Sequence, residues 1–473
     1  MNINELNELI STGDFSQVVA VLKNGRIKTN AAPEKWSDYQ AELDPARHKV
    51  NDRILRPDTI VKTDDGTKIV KAERIALAIQ KLIVKRAAAM LFGNDPALVA
   101  DQQNNIVDTL TAVFDDVKIS TLNYNVGKIV MSNREVAEYW YTVEDKEPSQ
   151  IYGFTSPLRI KCAIFAPEKG DTLYPYFDDA GDLIAFSRQY TIARGQESHT
   201  YFETYTADAT YKWDISGKDN ALVEGYPKPN PIGKIPVIYA EQPDVEWADV
   251  QNLIERLETL LSNFADTNDY HASPKILVTG EILDWAKKGE SGAVIQMSDG
   301  GSAQYLTWSQ APASVKTEID TLLQLIYTIS QTPDISFENV KTLGGVSGVA
   351  LDLLFMDSNL KVKDKRGIFD EYLQRRINVV KAYLQNMNLA PEFVANCKNT
   401  IVKAIIKPFR LADKTTALNQ IVTAYTNHTI SERTAVTQTA QTLGTGVNVD
   451  EEIDQIHEQL DNIDQTDLMV GGI

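Results

Sequence analysis

Apolar residues recur in steps of three and four through two stretches: Trp247, Val250, Leu253, Ile254, Leu257, Leu260, Leu261 and Phe264, then Val315, Ile319, Leu322, Leu323, Ile326 and Ile329. These steps place each set on one face of a helix. Between them, Ser273 to Gln310 holds three short strand candidates, KILV, AVIQM and AQYLTW, separated by glycines. An insert of so few strands is marginal alone, but copies side by side would support one another. A helix pair that leaves a body, carries a β tip and returns is what a ring subunit needs to build a stalk.

The second helix is expected to stop at Thr332 and Pro333, because proline disfavours helix at the residue before it. Asp334 to Ser347 is polar apart from scattered Ile335, Phe337, Val340, Leu343 and Val346, and Gly344, Gly345 and Gly348 lie near its end. A loop with wide conformational freedom is expected there. GGVSG resembles a phosphate loop only loosely, with no following Lys and no preceding buried strand. From Val349 a long helix is expected to reach about Met387, striped by Leu351, Leu354, Phe355, Leu360, Phe369, Leu373, Ile377, Val380 and Leu384, with Gly367 as the candidate kink.

Before the stalk, Ile3, Leu6, Leu9 and Ile10 start a short amphipathic stretch that reads as a peripheral arm. Arg53 to Val70 carries β-branched residues around Asp64, Asp65 and Gly66, a hairpin signal. Helices are predicted over Lys71 to Leu91, Leu98 to Phe114 and Val126 to Tyr141. From Tyr152 to Tyr239 the period changes to two, which predicts a twisted antiparallel sheet. Its acids Asp178, Asp179 and Asp182 read as a hairpin turn rather than a calcium loop, lacking the Gly and Glu spacing of one. Tyr174, Tyr176, Tyr190, Tyr201, Tyr205 and Tyr211 read as sheet packing, since few basic residues interleave with them. Thr400 to Pro408 is a late strand expected to pair back onto the early part. Helices Asp413 to Thr426, Ser431 to Leu443 and Val449 to Ile463 follow.

Composition narrows the classes. The 473 residues are 43% apolar, which suits globular folding. No apolar run approaches the roughly 18 to 20 residues that span a bilayer, and MNINELNELIS has acidic residues where a signal peptide carries basic ones. The protein is expected to stay in the cytoplasm where it is made, without membrane association. Cys162 and Cys397 read as reduced structural thiols with no metal-ligand spacing near them. No GxxxxGK[ST], HExxH, CxxC pair or GxSxG occurs, and the histidines are scattered. No enzyme, metal site or cofactor is therefore expected. The net charge of −18 opposes tight nucleic-acid binding but suits a surface past which a polyanion slides. On the first stalk helix Asp249, Glu255, Glu258, Asp266 and Asp269 face one cation, Arg256, and Asp249, Glu255 and Glu258 are the candidates to line a lumen. Lys361, Lys363, Lys365 and Arg366 form the densest basic patch and are the candidates for phosphate contact.

The order of parts resembles the portal (head-tail connector) proteins of tailed bacteriophages. The resemblance rests on IPVIYAEQPD before the first stalk helix, ISQTPDISF after the second, SGVAL opening the long helix, IIKPFRLADKTTALNQIV leading into TISERTAV, and AAAMLFGND early in the chain. It implies an α+β portal fold: an α/β wing (1–244), a stem of two helices (245–272 and 312–331), a small β-rich clip (273–311), a tunnel loop (332–347), a long kinked helix with a returning wing strand (348–410) and a helical C-terminal crown (411–473). In function it implies a homo-oligomeric ring, usually of twelve subunits, at one capsid vertex of the virion. Such a ring admits double-stranded DNA during packaging, releases it in ejection and nucleates head assembly with scaffold and major capsid proteins. Its clip meets the terminase motor and later the head-tail adaptor. Phe337, Gly344, Gly345, Ser347 and Gly348 would belong to the tunnel loop, with Lys341 its single cation. A non-catalytic scaffold or adaptor of another kind is the alternative, and a carboxylate-based hydrolase a weaker one.

Overall fold

The computed structural model describes residues 3–25, 36–63, 66–195, 197–217, 220–272, 275–284, 296–297, 300–306, 311–334, 355–408 and 414–470. The chain divides into two compact units, Met1–Asp334 with Asp357–Phe409, and Ile335–Met356 with Arg410–Ile473.

Within the first unit, α1 (Ile3–Ser11) and α2 (Phe15–Asn24) precede α3 (Trp36–Leu43), the hairpin β1 (Thr59–Thr63) and β2 (Gly66–Val70), and α4 (Ile79–Phe92). Then come β3 (Ala97–Ala100), α5 (Ile106–Asp116), α6 (Ile119–Asn133) and β4 (Glu135–Ser149). Ile83, Ala87 and Leu91 recur every fourth residue on α4 and are buried with Val126, Ile129 and Val130 of α6. Gly127 allows the two helices this approach, since a Cβ there would lie 3.0 Å from the Phe92 ring.

Two antiparallel sheets follow. One has the order β12-β4-β5, with β5 Ser156–Phe165 and β12 Val237–Glu241. The other runs β10-β9-β8-β7-β6 with β11 also on β9, built from β6 (Thr172–Phe177), β7 (Leu183–Arg194), β8 (Glu197–Tyr205), β9 (Ala209–Asp214), β10 (Ala221–Leu222) and β11 (Lys228–Pro229). Phe165, Phe186, Tyr205 and Tyr239 share one core, so these aromatics pack the sheets. The amphipathic start is no loose arm. Leu6, Val18, Val19 and Leu22 are buried against Ala185, Phe202 and Trp213 of the second sheet.

Three predicted helices change. The segment before α4 forms no helix until Ile79, and Leu98 to Phe114 splits into β3 and α5. The third ends at Asn133, where Arg134 takes a left-handed conformation (φ 71°) and the chain enters β4. Val136, Tyr139, Trp140, Tyr141, Thr142 and Val143 are β-branched or aromatic and suit that strand. Glu138 of β4 is fully buried and accepts from Arg376 Nε at 2.9 Å and from Trp140 Nε1 at 3.0 Å. Arg376 Nη1 also donates to Asn123 Oδ1 at 2.6 Å. Burial opposes the Arg376 charge, but Glu138 outweighs it and raises the guanidinium further above its ordinary value.

The stalk is an antiparallel pair, α7 (Gln251–Ala272) and α8 (Ala311–Ile329), with Ile254, Leu257, Leu322 and Ile326 buried in the same core. Arg256 Nη2 donates to Glu318 Oε1 at 2.7 Å across it. The insert contributes β13 (Lys275–Thr279) paired with β16 (Ser302–Leu306), and β14 (Ile282–Asp284) paired with β15 (Gln296–Met297). The long helix α9 (Met356–Met387) continues through Gly367 and buries Val362, Phe369, Leu373, Ile377, Val380 and Leu384; the turns expected from Val349 to Leu354 lie outside the described residues. After α10 (Pro391–Asn399), β17 (Val402–Ile405) pairs antiparallel with β3.

The second unit contains α11 (Lys414–Thr426), α12 (Glu432–Leu443) and α13 (Val449–Val470). Ser431 caps α12 through the Thr434 amide. Asp450, Glu451 and Glu452 occupy the first turn of α13, where the helix dipole favours acids.

Candidate functional site

The acidic side of α7 is partly covered: Glu258 is buried, Glu255 and Asp266 are half-buried, and Asp269 is exposed. Residues 72–77 lie along the helix as an extended strap running antiparallel to it. Glu73 N–H donates to Asp266 Oδ1 (2.7 Å), Ile75 N–H to Ser262 Oγ (2.9 Å) and Leu77 N–H to Glu258 Oε1 (2.7 Å). Two residues of strand advance about 6.6 Å and four of helix about 6 Å, so alternate amides meet every fourth side chain in register. This match explains why a helix-like apolar spacing from Lys71 onward does not form helix before Ile79. The strap's amides are satisfied by side chains instead.

Glu258 is 2% exposed, and so does not line a lumen. His48 Nδ1 lies 2.6 Å from its Oε1, while His48 Nε2 lies 2.7 Å from the Glu42 carbonyl. Both ring nitrogens face acceptors, which calls for the doubly protonated imidazolium. Burial pulls the His48 pKa down, but the bond and charge of Glu258 prevail and leave it above its ordinary value. Glu255 is half-buried, 2.9 Å from Lys49 Nζ. Of the three residues expected at the lumen, Asp249 alone is exposed. Asp266 also accepts from Arg56, whose Nη1 reaches Asn263 Oδ1 at 2.7 Å and whose Nε reaches the Glu73 carbonyl at 2.7 Å.

The basic patch on α9 splits. Lys361 Nζ and Lys365 Nζ lie 2.7 and 2.8 Å from the two carboxylate oxygens of Glu246, just ahead of α7, and all three side chains are largely buried. Lys361 also donates to the Ser330 carbonyl at 2.6 Å, and Lys365 to Gln242 Oε1 at 3.0 Å. Burial pushes the Glu246 carboxyl up, but the two lysines outweigh it and hold it below the ordinary carboxylate range. Burial draws the Lys361 ammonium down, and Glu246 offsets part of that. These two lysines thus clamp the start of α7 and the end of α8 to the long helix, and they are withdrawn from the phosphate set. Arg366 is half-exposed and pairs with Asp370 one turn on, while Lys363 is exposed.

Phe337, Lys341, Gly344, Gly345, Ser347 and Gly348, with most of the tunnel-loop range, lie outside the described residues, as does part of the insert. A basic grouping that sequence reasoning missed lines a cleft of about 490 Å³: Lys81 and Lys85 of α4, Lys128 of α6 and Lys169, against Asp44 and Glu168. The one-turn spacing of Lys81 and Lys85 was its only signal; the rest is tertiary. Among the described residues no group of His, Cys, Asp and Glu is placed to hold a metal ion, and no helix is long and apolar enough to cross a membrane.

An α/β body, an antiparallel helix pair and a β insert between the two helices together define a stalked architecture. The chain belongs to the phage portal protein family of the SPP1 Gp6-like type, whose model matches residues 34–466. Its α+β arrangement is the portal fold, and the family is one of structural assembly proteins. Two solved structures are similar at low identity. One, from the virion of a native gene transfer agent particle, is 11% identical with a TM-score of 0.32, covering 78% of this chain and 89% of that one. The other, from the neck of an empty gene transfer agent particle, is 12% identical with a TM-score of 0.36 and the same coverages. No curated protein matches.

Proposed function

We propose that the chain assembles into a ring of twelve copies at one capsid vertex of a virion. Its channel passes double-stranded DNA inward during packaging and outward during ejection. The insert at residues 273–311 engages the terminase motor and afterwards the head-tail adaptor, while the wing meets scaffold and major capsid proteins. The role is mechanical rather than catalytic, and the energy for packaging comes from the motor. The observation that carries this reading is the family match over residues 34–466.

Phosphate contact in the channel falls to Lys363, with Arg366 and Lys341, because Lys361 and Lys365 are held by Glu246. Such a sparse set suits a surface over which DNA must slide, since each phosphate neutralised adds to salt-dependent grip. Light scattering and negative-stain imaging of the purified protein test the assembly: rings with a central hole are expected. A species of 52.7 kDa at all concentrations, the mass of one chain, would overturn the reading.

A further inference from the structure

We propose that the β1–β2 hairpin is an arm that docks onto the adjacent copy of this chain, an assignment that rests on the ring reading above. The ribbon pairs Ile60 with Ile69 and Thr59 with Val70. Ile60 and Ile69 share one face and are 66% and 62% exposed; Val61 and Val70 lie on the other and are 40% and 46% exposed. Each face thus carries an apolar pair, and among the described residues neither packs into a core of its own subunit.

The base of the arm is fixed firmly. Arg74 Nη2 donates to Asp58 Oδ1 and to the Arg56 carbonyl, both at 2.7 Å, and Ala72 N–H donates to Asp58 Oδ1 at 3.1 Å. Arg56 in turn binds Asp266 and Asn263 of the stem. The subunit therefore aims the ribbon while leaving both faces uncovered. A two-stranded ribbon is marginal in water without a third element against it, and exposed apolar surface of this kind marks an interaction site.

A second copy fits as the occupant on charge. Between Thr59 and Lys71 the sequence carries three lysines and two aspartates, whereas the whole chain carries −18, so a neighbouring copy offers the opposite sign. Lysines on the open strands also discourage indiscriminate edge pairing, which favours one chosen partner. Contact between an arm and a different surface of the next copy is heterologous, the kind that closes into rings.

The test compares the wild type with the double variant Ile60→Ser, Ile69→Ser by light scattering over a dilution series, with circular dichroism and a melting curve of the dissociated subunit. The variant subunit is expected to melt as the wild type does, while its rings fall apart at a protein concentration at least tenfold higher. Rings with the wild-type dilution midpoint would overturn the proposal, as would a destabilised variant subunit, which would place the ribbon in its own core. Rings of unchanged strength that no longer enter capsids would assign the arm to the shell and overturn it likewise. A wild type that never forms rings would sink the ring reading itself, a result distinct from all of these.

Discussion

Residues 59–70 and 72–77 leave the same arginine-held base and meet opposite ends. The strap gives three successive outward amides to Asp266, Ser262 and Glu258 and is fastened to α7. The hairpin, a few residues earlier, presents Ile60, Val61, Ile69 and Val70 to solvent. Both are extended chain, and both alternate. What separates them is whether another element of the same subunit supplies acceptors and apolar cover at a matching repeat. Four-residue polar spacing on α7 does so for the strap, so polarity on a helix need not mark a wet or lumenal face. Where no such match exists, the chain's apolar surface is left for something outside the subunit.

The heaviest blow to that contrast is Glu258→Ala. It strands the His48 imidazolium and the Leu77 amide in a buried place, and a loss of about 4 kcal/mol in subunit unfolding is expected. A loss below about 1 kcal/mol would mean the strap is not fastened there. The same pair makes stability depend on pH. His48 is raised when folded, so its contribution is full below about 6.5 and fades as pH climbs through the higher folded value. His48→Gln should flatten that limb in denaturant titrations run from pH 6 to 9.

Glu246→Gln comes next, at about 3 kcal/mol, because it leaves Lys361 and Lys365 buried without a counter-charge. Glu246 is depressed when folded, so its share of stability is present above its ordinary value near 4.5 and lost as pH falls through the lower folded one. The variant should lack that acid limb; an unchanged acid profile would return the two lysines to the solvent-facing set. Ser262→Ala removes the acceptor of the Ile75 amide, together with the Ser262 hydroxyl's own bond to the Glu258 carbonyl, and should cost about 1 to 2 kcal/mol, read by chemical denaturation. The smallest effect on folding is expected from Lys363→Glu, within about 0.5 kcal/mol. If Lys363 contacts DNA, packaged genome length or retention should nevertheless fall in that variant, and full-length retained genomes would remove it from the channel.

The parts legible in the sequence are those governed by local period. The stem stripes, the hairpin around Gly66, the alternating sheet segment and the Ser431 helix start all needed only neighbours along the chain. Tertiary competition governed the rest. Ile75, Ile79 and Ile83 keep helical spacing, yet α7 side chains capture the amides at 73, 75 and 77 and delay the helix. Val126 to Tyr141 reads as one amphipathic run until Arg134 turns left-handed and sheet partners claim Val136 onward. Lys361 and Lys365 stand one turn apart, which looks like a solvated basic edge. Nothing local tells that Glu246, more than a hundred positions earlier, reaches between them. The lumen and phosphate assignments were therefore the least legible, because each depended on which side of a helix another segment covers.

Amide hydrogen exchange followed by mass spectrometry, on rings and on diluted subunits, tests the division of labour between strap and hairpin most directly. Peptides covering 72–77 should be protected equally in both forms, and peptides covering 59–70 should become protected only in the ring. Equal exchange of the hairpin in ring and subunit, or rapid exchange of the strap in either, would contradict it.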